Sequence, residues 1–148
     1  MLTVRGCVFP TDRFYDAQCN VWLKPDEQGN VVLGATAYGV ALAGEFIEFV
    51  PKPAGTRVDA GRAVGLLEIA KSLTSVRTPV PAVVVAANAA AVKDPMLINR
   101  QPYDAGWLLV LHVEDWPAAA STLLHGAALV PAFEAAMALE NFTEASRA

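Results

Sequence analysis

Residues 64–77 read VGLLEIAKSLTSVR, and the fold turns on how this stretch is laid down. An apolar run enters it, an alternating run leaves it, and LLEIAKSLTS at 66–75 spans the change of direction. Two strand-like runs around a short polar centre read as a hairpin. Its tip carries one cation, Lys71, three residues after one carboxylate, Glu68. The turn has no Asn-Gly or Asp-Gly, so its local chemistry alone specifies the reversal weakly. A lysine in a turn is ordinarily just solvated. What Lys71 means therefore depends on what surrounds it.

Outward from the hairpin, short apolar runs alternate with turn signals up to about residue 114. NVVLGAT, EFIEFVPK, AVVVAAN and GWLLVLHVED join the two hairpin runs as expected strands. In the last, Trp107, Leu109, Leu111 and Val113 share one face by period two, with His112 and Glu114 on the other. AVVVAAN shows no alternation, which predicts a strand buried on both faces or an irregular one. TAYGVALAG predicts a short helix with Thr36 as N-cap and Gly44 as its stop. DPMLIN predicts one turn capped by Asp94. After Asp115 the pattern becomes alanine-rich and helical. DWPAAASTLLHG predicts a helix from Asp115 to Gly126, with His125 as a cation at its C-terminus. VPAFEAAMALENF predicts a second from Pro131, packed through Phe133, Met137 and Leu139 alongside Leu123 and Leu124. The expected architecture is a mainly β body, residues 1–115, with short flanking helices and a helical extension, 116–148, packed on it.

The 148 residues are 54% hydrophobic, enough for a substantial core. A net charge of −4 with no basic cluster argues against nucleic acid and anionic membranes as partners. The longest uncharged runs are broken by Pro79, Pro81, Asn88, His125, Gly126 and Pro131, so none reads as a membrane span. The start, MLTVRGCVFPTDR, reads as mature sequence, and a cytoplasmic location is expected. Cys7 and Cys19 match no zinc or redox spacing and read as ordinary thiols. The glycines lack nucleotide-loop spacing. His112 and His125 have no partner at metal-ligand spacing. Ser72 and Ser75 flank Lys71 without an identifiable base. Nothing forms a self-contained active site, so a carrier or binding module is expected rather than an enzyme.

The wider context gives Lys71 a role. GTRVDAGRAVGLLEIAKS resembles the lipoyl-lysine region of the glycine cleavage H-protein family, a glycine followed by Ala-Gly and G-x-x-E-x-x-K. Here these are Gly55, Ala60 with Gly61, Gly65, Glu68 and Lys71. Downstream, Asn88, Pro95, Leu97, Asn99, Pro102, Tyr103, Gly106 and Trp107 stand where that family has its N-E-A and P-x-L-(I/V)-N-x-x-P-Y-x-x-G-W segment. The resemblance runs over about residues 8 to 115. It implies a barrel-sandwich hybrid fold with Lys71 on an exposed hairpin tip. It implies lipoic acid in amide linkage to that lysine, and Glu68 and Gly55 as recognition points for a lipoate ligase or lipoyl-assembly enzymes. The cofactor would supply the chemistry and the protein its position.

Two departures bear on the cargo. The family has His-Glu-Trp near the start of the domain; here CNVWL puts Val21 in the place of the glutamate. It also tends to have an aspartate four residues after the lysine; here that is Ser75. An aminomethyl cargo has a basic amine that carboxylates would stabilise. The opening GCVFPTDRFYDAQCNVWLKPDEQG, with Cys7, Phe9, Pro10, Tyr15 and Trp22, is similar to the lipoate-binding proteins of sulfur oxidation through a heterodisulfide-reductase-like complex. On that resemblance the arm shuttles sulfur intermediates, with Val21, Ser75 and Arg77 in the cleft near it. Two other readings stand beside it: a glycine cleavage H protein serving glycine decarboxylase components, and an unlipoylated binding or regulatory relative.

Overall fold

The structure is a computed structural model that describes residues 1–147. The hairpin is present. Strand β8 (Ala63–Ile69) turns into β9 (Ser72–Arg77), and β6 (Phe46–Pro51) lies on the other side of β8. These three form a small antiparallel sheet in the order β6-β8-β9. A six-stranded sheet packs against it. Its strands are β3 (Phe14–Asp16), β4 (Val21–Pro25), β5 (Val31–Ala35), β7 (Arg57–Val58), β10 (Ala82–Ala87) and β11 (Leu109–His112), in the order β3-β4-β5-β11-β10-β7. Between the sheets lies one core. Phe49, Val64, Leu67 and Val76 come from the small sheet, and Leu23, Leu33, Leu109 and Leu111 from the large one.

The expected alternation in the last run holds from Leu109 onward, with Leu109, Leu111 and Val113 buried and His112 and Glu114 exposed. The placing of Trp107 is corrected, since it lies before β11 and packs against a different core, while Leu108 is buried with Leu109. The missing alternation of AVVVAAN has a cause. The β10–β11 register shifts between Val84 and Ala86, leaving Val85 bulged out and 40% exposed. Helix α1 (Ala37–Ala43) is capped at both ends as the sequence indicates. Thr36 Oγ1 accepts from Gly39 N at 3.0 Å, and Gly44 ends the helix at φ +87.

A second core lies on the outer face of the large sheet. The hairpin β1 (Leu2–Val4) and β2 (Cys7–Phe9) forms one side. Helix α5 (Leu129–Leu139) closes it, with Phe133 and Met137 fully buried among Phe9, Tyr15 and Tyr38. Phe133 meets the rings of Phe9, Tyr15 and Tyr38 at centroid distances of 4.5, 6.2 and 6.4 Å.

Several expectations are corrected. Leu139 is 85% exposed; it ends α5, past Leu129, Phe133 and Met137, which face the core. Helix α4 (Trp116–Ala120) starts after Asp115 but stops well short of Gly126. The hydroxyls of Ser121 and Thr122 bond back to Ala118 O and Ala119 O at 2.6 and 2.7 Å. Leu124 then leaves the helix to bridge Tyr15, with backbone bonds of 2.9 and 2.8 Å. His125 is no helix-terminal cation; its ring stacks on Phe14 at 4.6 Å. α5 begins two residues before Pro131, whose missing N–H falls in the first turn where no intrahelical partner exists. NAAAVK is helical, α2 (Ala89–Lys93), capped by Asn88. Asp94 ends that helix instead of capping α3 (Met96–Arg100), and its carboxylate pairs with Arg100 at 2.6 Å.

Phe133→Ala should cost about 3–5 kcal/mol of stability in urea unfolding, the usual range for a buried aromatic truncated to alanine. Leu139→Ala should stay within about 0.5 kcal/mol. Equal losses from the two variants would contradict this orientation of α5.

Candidate functional site

Ile69 pairs with Ser72, so Ala70 and Lys71 form a two-residue turn. Neither has positive φ, consistent with a turn that lacks asparagine and glycine. Lys71 is exposed, and among the described residues no ion pair engages its amine. Glu68 lies in the adjacent strand, half-buried, opposite Leu73 on one side and Glu48 on the other. Leu73 is 63% exposed beside the tip.

Strand β9 forms one wall of a cleft of about 460 Å³. The facing wall comes from far earlier in the chain, from the segment ending in Cys19, Asn20 and Val21 and from Leu42 and Ala43 of α1. The structure brings Val21, Ser75 and Arg77 together in this lining. Val21 is buried at the start of β4, whereas Ser75 and Arg77 are exposed on β9. Gly55 is not part of this arrangement. It follows β6 and donates its N–H to Val84 O at 2.7 Å, beyond the base of the hairpin. Pro51 pairs with Gly65, six residues before Lys71, or about 20 Å of strand. A φ of +90 accounts for the glycine there.

Sequence reasoning passed over the far wall. Cys19 faces the cleft, and its thiol is pushed up to about 12, first by burial and then by Asp16, with Arg77 acting the other way. Asp16 Oδ2 also accepts from Cys19 N at 2.7 Å. Asn20 sits at φ +56, and its Oδ1 is buried without a hydrogen-bond partner. No residue spacing signals this wall, since its parts meet β9 only through the fold.

The downstream motif residues are scaffold. The Asn88 amide donates to Ala105 O and Trp107 O at 2.8 and 2.7 Å. Asn99 accepts from Phe46 N at 3.0 Å and donates to Gly44 O at 2.7 Å, fixing the passage from α1 to β6. The Tyr103 hydroxyl accepts from Ala37 N at 2.9 Å and donates to Val8 O at 2.7 Å. These contacts set the position of α1 and so of one cleft wall.

The sheets, the tip lysine and the cleft can be set beside known proteins. The profile of the family described as glycine cleavage H-protein matches residues 13–135. The chain belongs to the glycine cleavage H-protein family. A glycine cleavage system H protein 2 of Aquifex aeolicus is 40% identical over 107 residues, 72% of this chain and 66% of that one. Its H protein 3 is 37% identical, over 71% of this chain and 65% of its own length. The alignment thus spans slightly under two thirds of these two relatives. A probable glycine cleavage system H protein 2 of Saccharolobus solfataricus is 31% identical over 97% of both chains. The crystal structure of an H protein from Mycobacterium marinum superposes with a TM-score of 0.71 at 27% identity, covering 90% of this chain and 100% of that one. The barrel-sandwich architecture that the resemblance implied is the one found. Proteins of this family carry lipoate on a lysine and serve as carriers, not catalysts. The family match continues past residue 115 into α5. No helix among the described residues is long and apolar enough to cross a membrane.

A thiol raised to about 12 holds roughly a thousandth of the thiolate of an unperturbed one at neutral pH. Cys19 should therefore resist iodoacetamide at pH ~7.5 over a period in which glutathione is consumed, and become labelled once urea unfolds the chain. Mass spectrometry of peptides reads this out. Labelling of Cys19 in the folded protein at the glutathione rate would contradict the burial and Asp16 contacts described.

Proposed function

We propose that this chain is a lipoyl carrier protein, with lipoic acid in amide linkage to Lys71. The observation that carries the reading is an exposed lysine, without an ion pair among the described residues, on a two-residue hairpin tip beside a cleft, within an H-protein chain. An exposed tip lets a lipoate ligase or lipoyl-assembly enzymes reach the amine, with Glu68 in the adjacent strand as a recognition point. It also lets the finished arm swing between partners at high effective concentration. Gly55 lies in a turn past the end of β6, beyond the base of the hairpin, so we assign it to the backbone alone. The protein works as a carrier in the cytoplasm, with enzymes loading and unloading the arm.

The names of the relatives favour one cargo. They are glycine cleavage H proteins, which supports an aminomethyl group passed between glycine decarboxylase components. A second reading, sulfur intermediates shuttled to and from a heterodisulfide-reductase-like complex, is supported by the cleft. Val21 and Ser75 line it where the family pattern has carboxylates, and among the described residues no aspartate or glutamate takes their place there. A dithiol arm needs only a thiolate and access to take up sulfur.

Co-expression with a lipoate ligase should add one lipoyl group to the intact mass. Lys71→Arg should fold and stay unmodified, while modification of Lys24, Lys52 or Lys93 would sink the assignment.

The cargo separates in a side-by-side incubation of the lipoylated protein with glycine decarboxylase plus glycine, and with a sulfane-sulfur donor. On the sulfur reading, aminomethylation is slow, and Val21→Glu with Ser75→Asp raises it by roughly tenfold for each charged hydrogen bond gained. Efficient aminomethylation of the unaltered protein without sulfur uptake would leave the glycine cleavage reading alone.

A further inference from the structure

The cleft beside the β8–β9 hairpin carries charge of one sign. Among the described residues Arg77 is the only charged side chain in its lining; the rest is apolar, such as Val21, Leu67 and Ile69, or neutral and polar, such as Asn20 and Ser72. Among the described residues no ion pair or hydrogen bond engages the Arg77 guanidinium. Its charge is nevertheless felt at the opposite wall, where it acts on the Cys19 thiol against burial and Asp16. Asp16 lies outside the lining, and its carboxylate accepts from Cys19 N. Glu48 and Glu68 face each other across β6 and β8, also outside the lining. Acylating Lys71 would remove the ammonium charge at the tip, as other lysine acylations do. Arg77 would then be the one cation next to whatever the arm presents.

We propose that Arg77 makes the cleft selective for an arm end bearing negative charge, such as a thiolate, a persulfide or a carboxylate, and against one bearing a protonated amine. This deepens the carrier reading and rests on the arm being held at Lys71. The physical reason is a single guanidinium inside the lining, while the carboxylate that opposes it at Cys19, Asp16, lies outside. Because Arg77 is exposed, the preference is modest: an exposed charge pair supports roughly a fivefold difference between oppositely charged ends, and salt screens it.

The test uses the full chain carrying Lys71→Gln, which removes the ammonium charge at the tip as acylation would, so it does not depend on acylation of Lys71, which intact mass examines separately. Two dihydrolipoamide derivatives of similar size, one S-carboxymethylated and one S-aminoethylated, are titrated into isotope-labelled protein. The backbone signals of Val21, Leu67 and Val76 report binding. The carboxymethyl compound is expected to bind roughly fivefold more tightly at low salt, with the gap narrowing at high salt. Arg77→Gln should abolish the preference and Arg77→Glu should reverse it, with circular dichroism confirming that both variants fold. A reversed preference is a result that a purely structural role for Arg77 would not produce. On the Lys71→Gln background, equal binding with Arg77 in place, a preference for the aminoethyl compound, a preference that survives Arg77→Gln, or no perturbation by either compound would each overturn the proposal.

Discussion

Strand β4 has to be covered from both sides. Val21, Trp22 and Leu23 are all buried, although successive residues of a strand point to opposite faces. Val21 and Leu23 enter the core between the sheets, whereas Trp22 enters the second core, under the amino-terminal hairpin and α5. A sheet with one wet face would not need the tail; this one does. The indole lies directly on Gly34 of the neighbouring strand, where any side chain would collide with it. Its Nε1 donates to Pro102 O at 3.0 Å, and the Arg13 guanidinium sits 4.6 Å above the ring. The strand that begins with a cleft residue is thus also held at Trp22 by contacts on the far side of the sheet.

Tyr103 extends the same logic to the other cleft wall. Burial pushes its phenol far above the ordinary range, so it stays protonated and keeps donating to Val8 O while accepting from Ala37 N. One hydroxyl therefore joins β2 to the first turn of α1. That helix supplies Leu42 and Ala43 to the cleft. The cleft is consequently a product of long-range packing, with a floor of core residues such as Leu67 and Leu108.

This explains what could be read from the chain beforehand. The hairpin, α1 and the last strand were legible because their periodicity and caps are local. Lys71 was legible as a tip residue, but its role came from a resemblance in motif, not from spacing. β1, β2 and β3 are three residues each, too short for alternation to register. β4 hides its period because both faces are buried. Leu139 was misplaced because an alanine-rich helix gives little contrast between its faces, so the stripe could be drawn one residue too far. Cys19 and Asn20 carry no sequence signal at all; only the neighbouring Val21, standing in a motif position, pointed to their segment.

The register of the small sheet has an evolutionary consequence. It shifts between Phe46 and Glu48 on the β6 side, and between Ala63 and Gly65 on the β9 side. Between these irregularities β8 runs in strict alternation, with Leu67 inward and Leu66 outward. A one-residue insertion or deletion within the hairpin would send the whole of one strand to the opposite face, exposing Leu67 or Val76 to water. Gradual drift of loop length is therefore closed to this segment, while the irregular stretch between α4 and α5 has no such constraint along most of its length. Lineages can remodel what surrounds the tip, but position 71 can only be kept or lost.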